Sequence, residues 1–419
     1  MSSLVVIIIL VSLCQLRFGV GFRHFRVRVR KISSFSPWQP QIRTFATTTS
    51  EAVRLDPDPD LLINWIQAHS GHFDLDILQE KDGWSLITKT AAEKDAVLAT
   101  VPKKLCIFSK PELMESPLTT NAVTLMDSLG TEHWRTRLAV GLLSERVRSD
   151  SFFRPYLANL PFAFPGLPCF YDAQEFRAIQ DASLLHTSRE RCAFLNDFAE
   201  NVLKPLHRSA QDPFNGHFVD ANVLGWAFGS ACSRGFRFLA EGAVLVPGLD
   251  LCQHSPQPSC AVRDRGDAFQ LVALEPLGKG AAATVSYGPL TNEELLGDFG
   301  FSLHRNPHEA VSLACDASAL RAAASILGES AEAAEGSARV LRSPGLWQLA
   351  GLRAVGVQGG RLEVRVTERG VDGRLLAALR VLAARHEGEL DAAGLDPSSL
   401  QSPGLVLLSL IHISEPTRQ

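Results

Sequence analysis

Four short stretches of this chain hold residues whose types and spacing could do chemistry. Tyrosine is scarce, with only Tyr156, Tyr171 and Tyr287 in the whole sequence. Tyr287 lies in Ser286-Tyr-Gly-Pro-Leu-Thr-Asn-Glu-Glu294, which reads as the end of a β run, a turn and an acidic helix start. A phenol there either faces a cleft with its ring held by the core, or is a half-buried core tyrosine. Asp250-Leu-Cys-Gln-His-Ser255 concentrates donors and acceptors after the apolar Val244-Leu-Val246. Taken alone, Asp250 and His254 suit a metal pair, half of a hydrolase triad, or a polar turn. No second His, Cys or Asp group has ligand spacing, which weakens the metal. No Gly-x-Ser-x-Gly elbow occurs, which weakens the hydrolase. Arg234 follows the small residues of Gly229-Ser-Ala-Cys-Ser233 and is either a carboxylate clamp or a surface ion-pair partner. Asp82-Gly-Trp-Ser85 reads as a tight turn beside a strand, where backbone amides can meet a ligand.

These residues need elements to hold them. The Pro/Asp stretch at residues 56–60 opens the folded part, and a short helix follows with Asp60 as its expected N-cap. Residues 85–88 and 96–101 are β-like, with Pro102 ending the second run. From about residue 120 the apolar spacing becomes helical, most clearly over 134–147 and 173–203. Apolar β-like runs return at 243–246, 270–274 and 283–286. After about residue 306 the chain turns Ala-, Leu- and Arg-rich, and strong helix formers at 373–385 predict a helix. The layout is β-rich, helical, β-rich, helical, without internal repeats.

Composition bounds the classes. At 419 residues, 46% hydrophobic and 21% charged, the chain suits two or three globular domains. Residues 1–50 hold seven basic residues and no acid. Setting them aside leaves 34 of the 41 basic residues against all 45 acidic ones. A mature protein that acidic is a poor general binder of nucleic-acid phosphates. The eight cysteines form no Cys-x-x-Cys pair and are scattered, which argues against a structural zinc site or a disulfide framework. The apolar run at 4–16 is too short to span a membrane and fits a signal peptide. The Arg- and Ser-rich stretch through residue 50 looks like a transit peptide. Together they are similar to the two-part leader of algae with secondary plastids, the rival being a single mitochondrial presequence. Residues 408–418 look like the translation of a sequencing-library adapter, so the natural chain is expected to be truncated shortly before residue 408 and the last domain to be partial.

In order along the chain, the turn at Asp82, the helical insert, Ser233-Arg-Gly-Phe236, Pro247-Gly-Leu-Asp-Leu-Cys-Gln-His-Ser255 and Ser286-Tyr-Gly288 resemble one family. It is the plant Rubisco large-subunit lysine methyltransferase family of SET proteins, and the likeness covers roughly residues 60–310. Supporting pieces are Val101-Pro-Lys-Lys-Leu105, the stretch from Glu145 to Leu157 with Leu160-Pro161, and Asn292 onward to Gly300-Phe301. The resemblance implies an α+β protein: a split SET β-fold at 51–119 and 211–305, a helical insertion at 120–210, and a helical substrate-binding domain at 306–407. It implies S-adenosylmethionine as cofactor, no metal, and a protein substrate bearing the target lysine, with Rubisco large subunit or aldolase as family-level guesses. A monomer with no membrane attachment in the mature form is expected. Matched position by position, Tyr287 takes the catalytic role. Asp82, Gly83, Trp84, Arg234, Asp250, Leu251, Cys252, Gln253, His254, Gly300 and Phe301 take the cofactor. Phe236 and Phe299 take the substrate, and the apolar Phe236 suits a lysine stem where a related actin-histidine branch carries Asn. Three positions depart from the family. Gln253 stands where Asn is usual, Ser85 replaces a loop glycine and would be strained if positive φ were required there, and Phe299 replaces a second tyrosine, which is expected to loosen control of methylation number. Two rivals remain: a non-catalytic SET scaffold, and a histidine methyltransferase.

Overall fold

The computed structural model describes residues 56–80, 83–116, 118–240 and 242–316, and beyond them 352, 361–367, 370–371, 374–375, 378 and 381. The leader, Asp82 and the last residues lie outside these. The chain divides into two compact units, one centred on residues 36–307 and the other on 308–419.

The first unit opens with α1 (Pro59–Ala68). Its N-cap is Asp58, whose carboxylate accepts from the Leu61 amide at 2.9 Å. Asp60 was expected in that place, but Pro59, which has no N–H to satisfy, takes the first helical position and moves the cap back. Leu62, Trp65 and Ile66 turn the helix face inward at the i, i+3, i+4 spacing. The strands β1 (His72–Phe73), β2 (Leu75–Glu80), β3 (Gly83–Thr88), β4 (Val97–Pro102) and β5 (Ile107–Phe108) follow. β2 and β3 form an antiparallel hairpin from Leu75 opposite Thr88 to Glu80 opposite Gly83.

Helices then take over: α2 (Thr120–Ser128), α3 (Trp134–Arg146), α4 (Arg154–Ala158), α5 (Ala173–Ala178), α6 (Ala182–Phe198) and α7 (Ala221–Arg234). Helix α3 is buried from Leu138 to Glu145 without a break, because α7 packs against it on one side and strands on another. A buried carboxylate needs partners, and Glu145 receives Ser116 Oγ at 3.0 Å, Ser151 Oγ at 2.7 Å and Arg148 at 3.3 Å. Small residues in α7 allow close approach; a Cβ on Gly229 would come within 2.7 Å of the Phe164 ring. The helical region thus reaches Arg234, with α7 feeding directly into the next sheet.

That second β-rich part holds β6 (Gly235–Phe238), β7 (Gly242–Leu245), β8 (Gln253–His254), β9 (Cys260–Asp264), β10 (Ala268–Ala273) and β11 (Thr284–Val285), then α8 (Asn292–Phe299). Strands from both halves share sheets. One has the order β1-β4-β10-β9, the other β5-β7-β6, all antiparallel. β8 and β11 instead pair in parallel, Gln253 beside Thr284 and His254 beside Val285. A two-residue parallel pair cannot come from a hairpin; the chain leaves β8, builds β9 and β10, and returns.

In the second unit, β12 (Val311–Asp316), β13 (Arg361–Thr367) and β14 (Gly370–Val371) form an antiparallel sheet. Leu352, Leu362, Leu375, Ala378 and Val381 are buried there. Residues 374, 375, 378 and 381 are helical, inside the predicted 373–385 helix. The strands were not anticipated; Arg361-Leu-Glu-Val-Arg-Val-Thr367 alternates polar and apolar residues, a period-two signal masked by the helix-rich composition around it.

Candidate active site

Each motif is delivered by a distinct element. After β7 the chain makes a turn at Gly248, whose φ of 80° is left-handed. A Cβ there would come within 2.8 Å of the Phe73 ring, so glycine alone fits. Asp250 follows and is 7% exposed. Tyr156, on α4, donates its hydroxyl to Asp250 Oδ2 at 2.8 Å. Arg234, at the end of α7, donates Nη1 to the Asp250 carbonyl at 2.8 Å. Burial raises the Asp250 carboxyl above its ordinary range, while Arg234 and the Tyr156 hydroxyl pull it back. Burial beside Asp250 also pushes the Tyr156 phenol well up. Leu251 and Cys252 point their side chains into the core, so they can meet a ligand only through backbone.

Tyr287 sits two residues beyond β11, half-buried against the core. Its hydroxyl donates to the Cys252 carbonyl at 2.8 Å and its amide donates to His254 Nδ1 at 3.1 Å. The second bond requires a bare Nδ1, so a neutral His254 carries its proton on Nε2. Burial raises the Tyr287 phenol far above the usual tyrosine range, with Arg234 opposing. The hydroxyl therefore stays protonated. Around it stand His254 at 5.1 Å, Phe299 at 4.6 Å and Phe301 at 6.3 Å between ring centroids, and His254 is 6.0 Å from Phe301. Phe299 and Phe301 come from the end of α8. That helix starts with a capping box, Thr291 and Glu294 each accepting the other's amide, and stops at Gly300 in the left-handed conformation, φ 82°.

The β2–β3 hairpin reaches the same place. Gln253 Nε2 donates to the Trp84 carbonyl at 2.6 Å, tying the hairpin to β8. Gly83 has φ 136° and open space where a Cβ would be. Ser85 shows no positive φ; it pairs with Leu78 inside the hairpin and donates Oγ to Glu80 at 2.6 Å. The exchange of glycine for serine therefore costs no backbone strain. Asp82 lies outside the described residues. Phe236 lies on β6 beside the core, its ring 6.4 Å from Phe238; its ring contact is with that neighbour rather than with the Tyr287 cluster. Tyr156 was not foreseen as part of this arrangement. A lone tyrosine in a helical stretch carries no signal beyond its rarity, and only the fold brings it to Asp250.

Among the described residues no group of three or more His, Cys, Asp or Glu could hold a metal ion. The residues do fit S-adenosylmethionine. Arg234 brings a guanidinium for a carboxylate, Gly83 gives space for a ligand against backbone, and four aromatic rings suit a cationic sulfur.

The arrangement is that of a SET fold, with strands from two separated sequence regions interleaved around a helical insertion and closed by a parallel pair. Solved structures agree. The chain matches Rubisco LSMT bound to AdoMet with a TM-score of 0.60 at 18% identity, covering 84% of this chain and 76% of that one. It matches the SET domain of LSMT bound to lysine and AdoHcy with a TM-score of 0.59 at 19% identity, covering 84% and 77%. In sequence, the chain is similar to actin-histidine N-methyltransferase of Rattus norvegicus and of Homo sapiens, each 23% identical over 286 residues, 64% of this chain and 46% of the relative. The chain thus spans about half the length of the curated relatives it matches. No protein-family model matches it.

Proposed function

We propose that this chain methylates a lysine side chain of a protein substrate, using S-adenosylmethionine. The observation that carries it is Tyr287: a protonated phenol fixed on the Cys252 carbonyl, ringed by His254, Phe299 and Phe301, beside the segment held by Arg234 and Gln253. Held there by Arg234, the Gly83–Trp84 backbone and Gln253, S-adenosylmethionine would supply an electrophilic methyl group to an amine nucleophile, with the neutral thioether as the leaving group. The chain's own residues do the rest. Arg234 is the partner for an amino-acid carboxylate, and the Gly83–Trp84 backbone and Gln253 line the approach. A free lysine has a pKa near 10.4, so about one in a few thousand is neutral at pH 7. The aromatic wall desolvates the amine and favours its neutral, nucleophilic form. With its phenol held protonated, Tyr287 orients the nitrogen rather than taking its proton. Most of the rate comes from that alignment.

Lysine is chosen over histidine because an apolar Phe236 suits an alkyl stem. Histidine transfer is the second reading, favoured by the likeness in sequence to actin-histidine N-methyltransferase. Plastid proteins such as Rubisco large subunit or aldolase are the proposed substrates, on the resemblance to the Rubisco methyltransferase family and on the plastid leader expected at residues 1–50. The test has two stages. Calorimetry should show S-adenosylmethionine binding; no measurable binding favours a scaffold. Mass spectrometry of a labelled substrate should then place the methyl on a lysine nitrogen; a label on an imidazole replaces lysine by histidine.

A further inference from the structure

The segment that brings Phe299 to Tyr287 has no polar anchor at Phe299 itself. Its place is decided by what holds the residues on either side. On one side is Asp298. Arg135, from α3, puts Nη2 2.5 Å from Asp298 Oδ2. Arg191, from α6, puts Nη2 2.7 Å from Asp298 Oδ1 and donates Nη1 to the Gly297 carbonyl at 2.8 Å. Each carboxylate oxygen faces its own guanidinium, and Arg135 is itself held 4.3 Å over the Trp134 ring. On the other side is Gly300, in the left-handed conformation, where a Cβ would come within 2.8 Å of the Gly166 carbonyl carbon. The end of α8 is therefore fixed at two points by the helical insertion, with Phe299 between them.

A single exposed ion pair would be worth little, but two cations on one carboxylate, one of them also hydrogen-bonded to the adjacent carbonyl, form a network. The three side chains are only 19–24% exposed. In a helix a shift of one residue turns a side chain by about 100° and moves it about 1.5 Å. Misplacement on that scale at a reacting centre can cost about a hundredfold in rate.

We propose that Asp298, pinned by Arg135 and Arg191, is a positioning residue for the transfer site that sets the Phe299 ring against Tyr287. This rests on the methyltransfer reading for its catalytic consequence, but not for its structural one. Asp298 touches no reacting atom; it acts through Phe299.

The test separates the two. With only three tyrosines in the chain, tyrosine labelled only at the ring ε carbons gives a three-signal NMR spectrum, and Tyr287→Phe identifies its signal. Asp298→Asn should move the Tyr287 signal in the direction that Phe299→Leu moves it, while the distant surface change Lys204→Gln leaves it in place. In transfer assays, Asp298→Asn should lower kcat about tenfold or more with KM for S-adenosylmethionine unchanged, and Asp298→Glu should recover part of the loss. Should Asp298→Asn fail to fold, Arg191→Lys, which keeps a cation but loses the fork, carries the same two measurements. A Tyr287 signal unmoved by the folded variant overturns the proposal, as does a loss confined to KM. A wild-type protein that transfers no methyl sinks the function instead, and the NMR comparison still decides the clamp.

Discussion

The site has a floor and a wall, and they are built differently. The floor, Asp250 with Tyr156 and Arg234, is deep and polar, fixed by hydrogen bonds of 2.8 Å. The wall, His254, Tyr287, Phe299 and Phe301, is aromatic and only half-buried, its rings packed on one another, with two hydrogen bonds at the Tyr287 hydroxyl and amide fixing its centre. Buried polar groups give a unique geometry because any displacement leaves a donor or acceptor unmet. Ring packing gives a surface that still meets a ligand. The floor is thus expected to govern whether the site exists, and the wall what it does.

Substitutions can break that division. The largest effect is expected from Tyr287→Phe, which removes one fixed hydroxyl from the wall. Turnover should fall about 10²- to 10³-fold, as for loss of one preorganised donor, with calorimetric S-adenosylmethionine affinity retained. Arg234→Ala comes next. It removes a charge-assisted donor from the floor and the proposed carboxylate partner, so affinity should fall about tenfold or more. Tyr156→Phe leaves the buried Asp250 Oδ2 without its donor. Urea unfolding should show a loss of about 1–3 kcal/mol, with kcat affected far less than by Tyr287→Phe. A Tyr156→Phe protein of full stability and lost turnover would erase the distinction between floor and wall.

The pH response follows from Asp250. Its folded carboxyl is raised, so the folded state holds a proton that the unfolded chain has already released. Its contribution is fully present below the ordinary carboxylate range and is lost as pH rises through the raised value. Asp250→Asn removes that dependence. Relative to the variant, the wild type should therefore weaken as pH climbs from 4 towards neutrality, measured by thermal unfolding of both. The smallest effect belongs to Gln253→Asn, which shortens the reach to the Trp84 carbonyl and should change cofactor affinity only a few-fold.

The same division explains what was legible in the sequence. The wall was visible because its residues lie in compact motifs, Ser286-Tyr-Gly288, Gln253-His254 and Gly300-Phe301, whose order along the chain matches a known pattern. The strands and helices that carry them were visible through apolar spacing at 85–88, 96–101, 134–147 and 270–274. Of the floor, Asp250 and Arg234 were visible in the same way, but Tyr156 was not, because it stands 94 residues from Asp250 and the two meet only once α4 packs beside the turn at Gly248. The clamp on Asp298 was hidden for the same reason, since Arg135 and Arg191 lie on different helices. Phe236 was legible as a motif position in Ser233-Arg-Gly-Phe236, while its packing beside Phe238 on β6 shows only in the fold. Ser85 looked costly against a glycine pattern and proves to be an ordinary strand residue.

One measurement reaches the central claim directly. Purified protein and S-adenosylmethionine labelled on the methyl are incubated with a plastid protein extract, and the labelled product is mapped by mass spectrometry, with Tyr287→Phe in parallel. The account predicts label on a lysine nitrogen from the wild type and almost none from the variant, although both bind S-adenosylmethionine. Equal labelling by the two proteins, or none from a wild type that binds the cofactor, would contradict it.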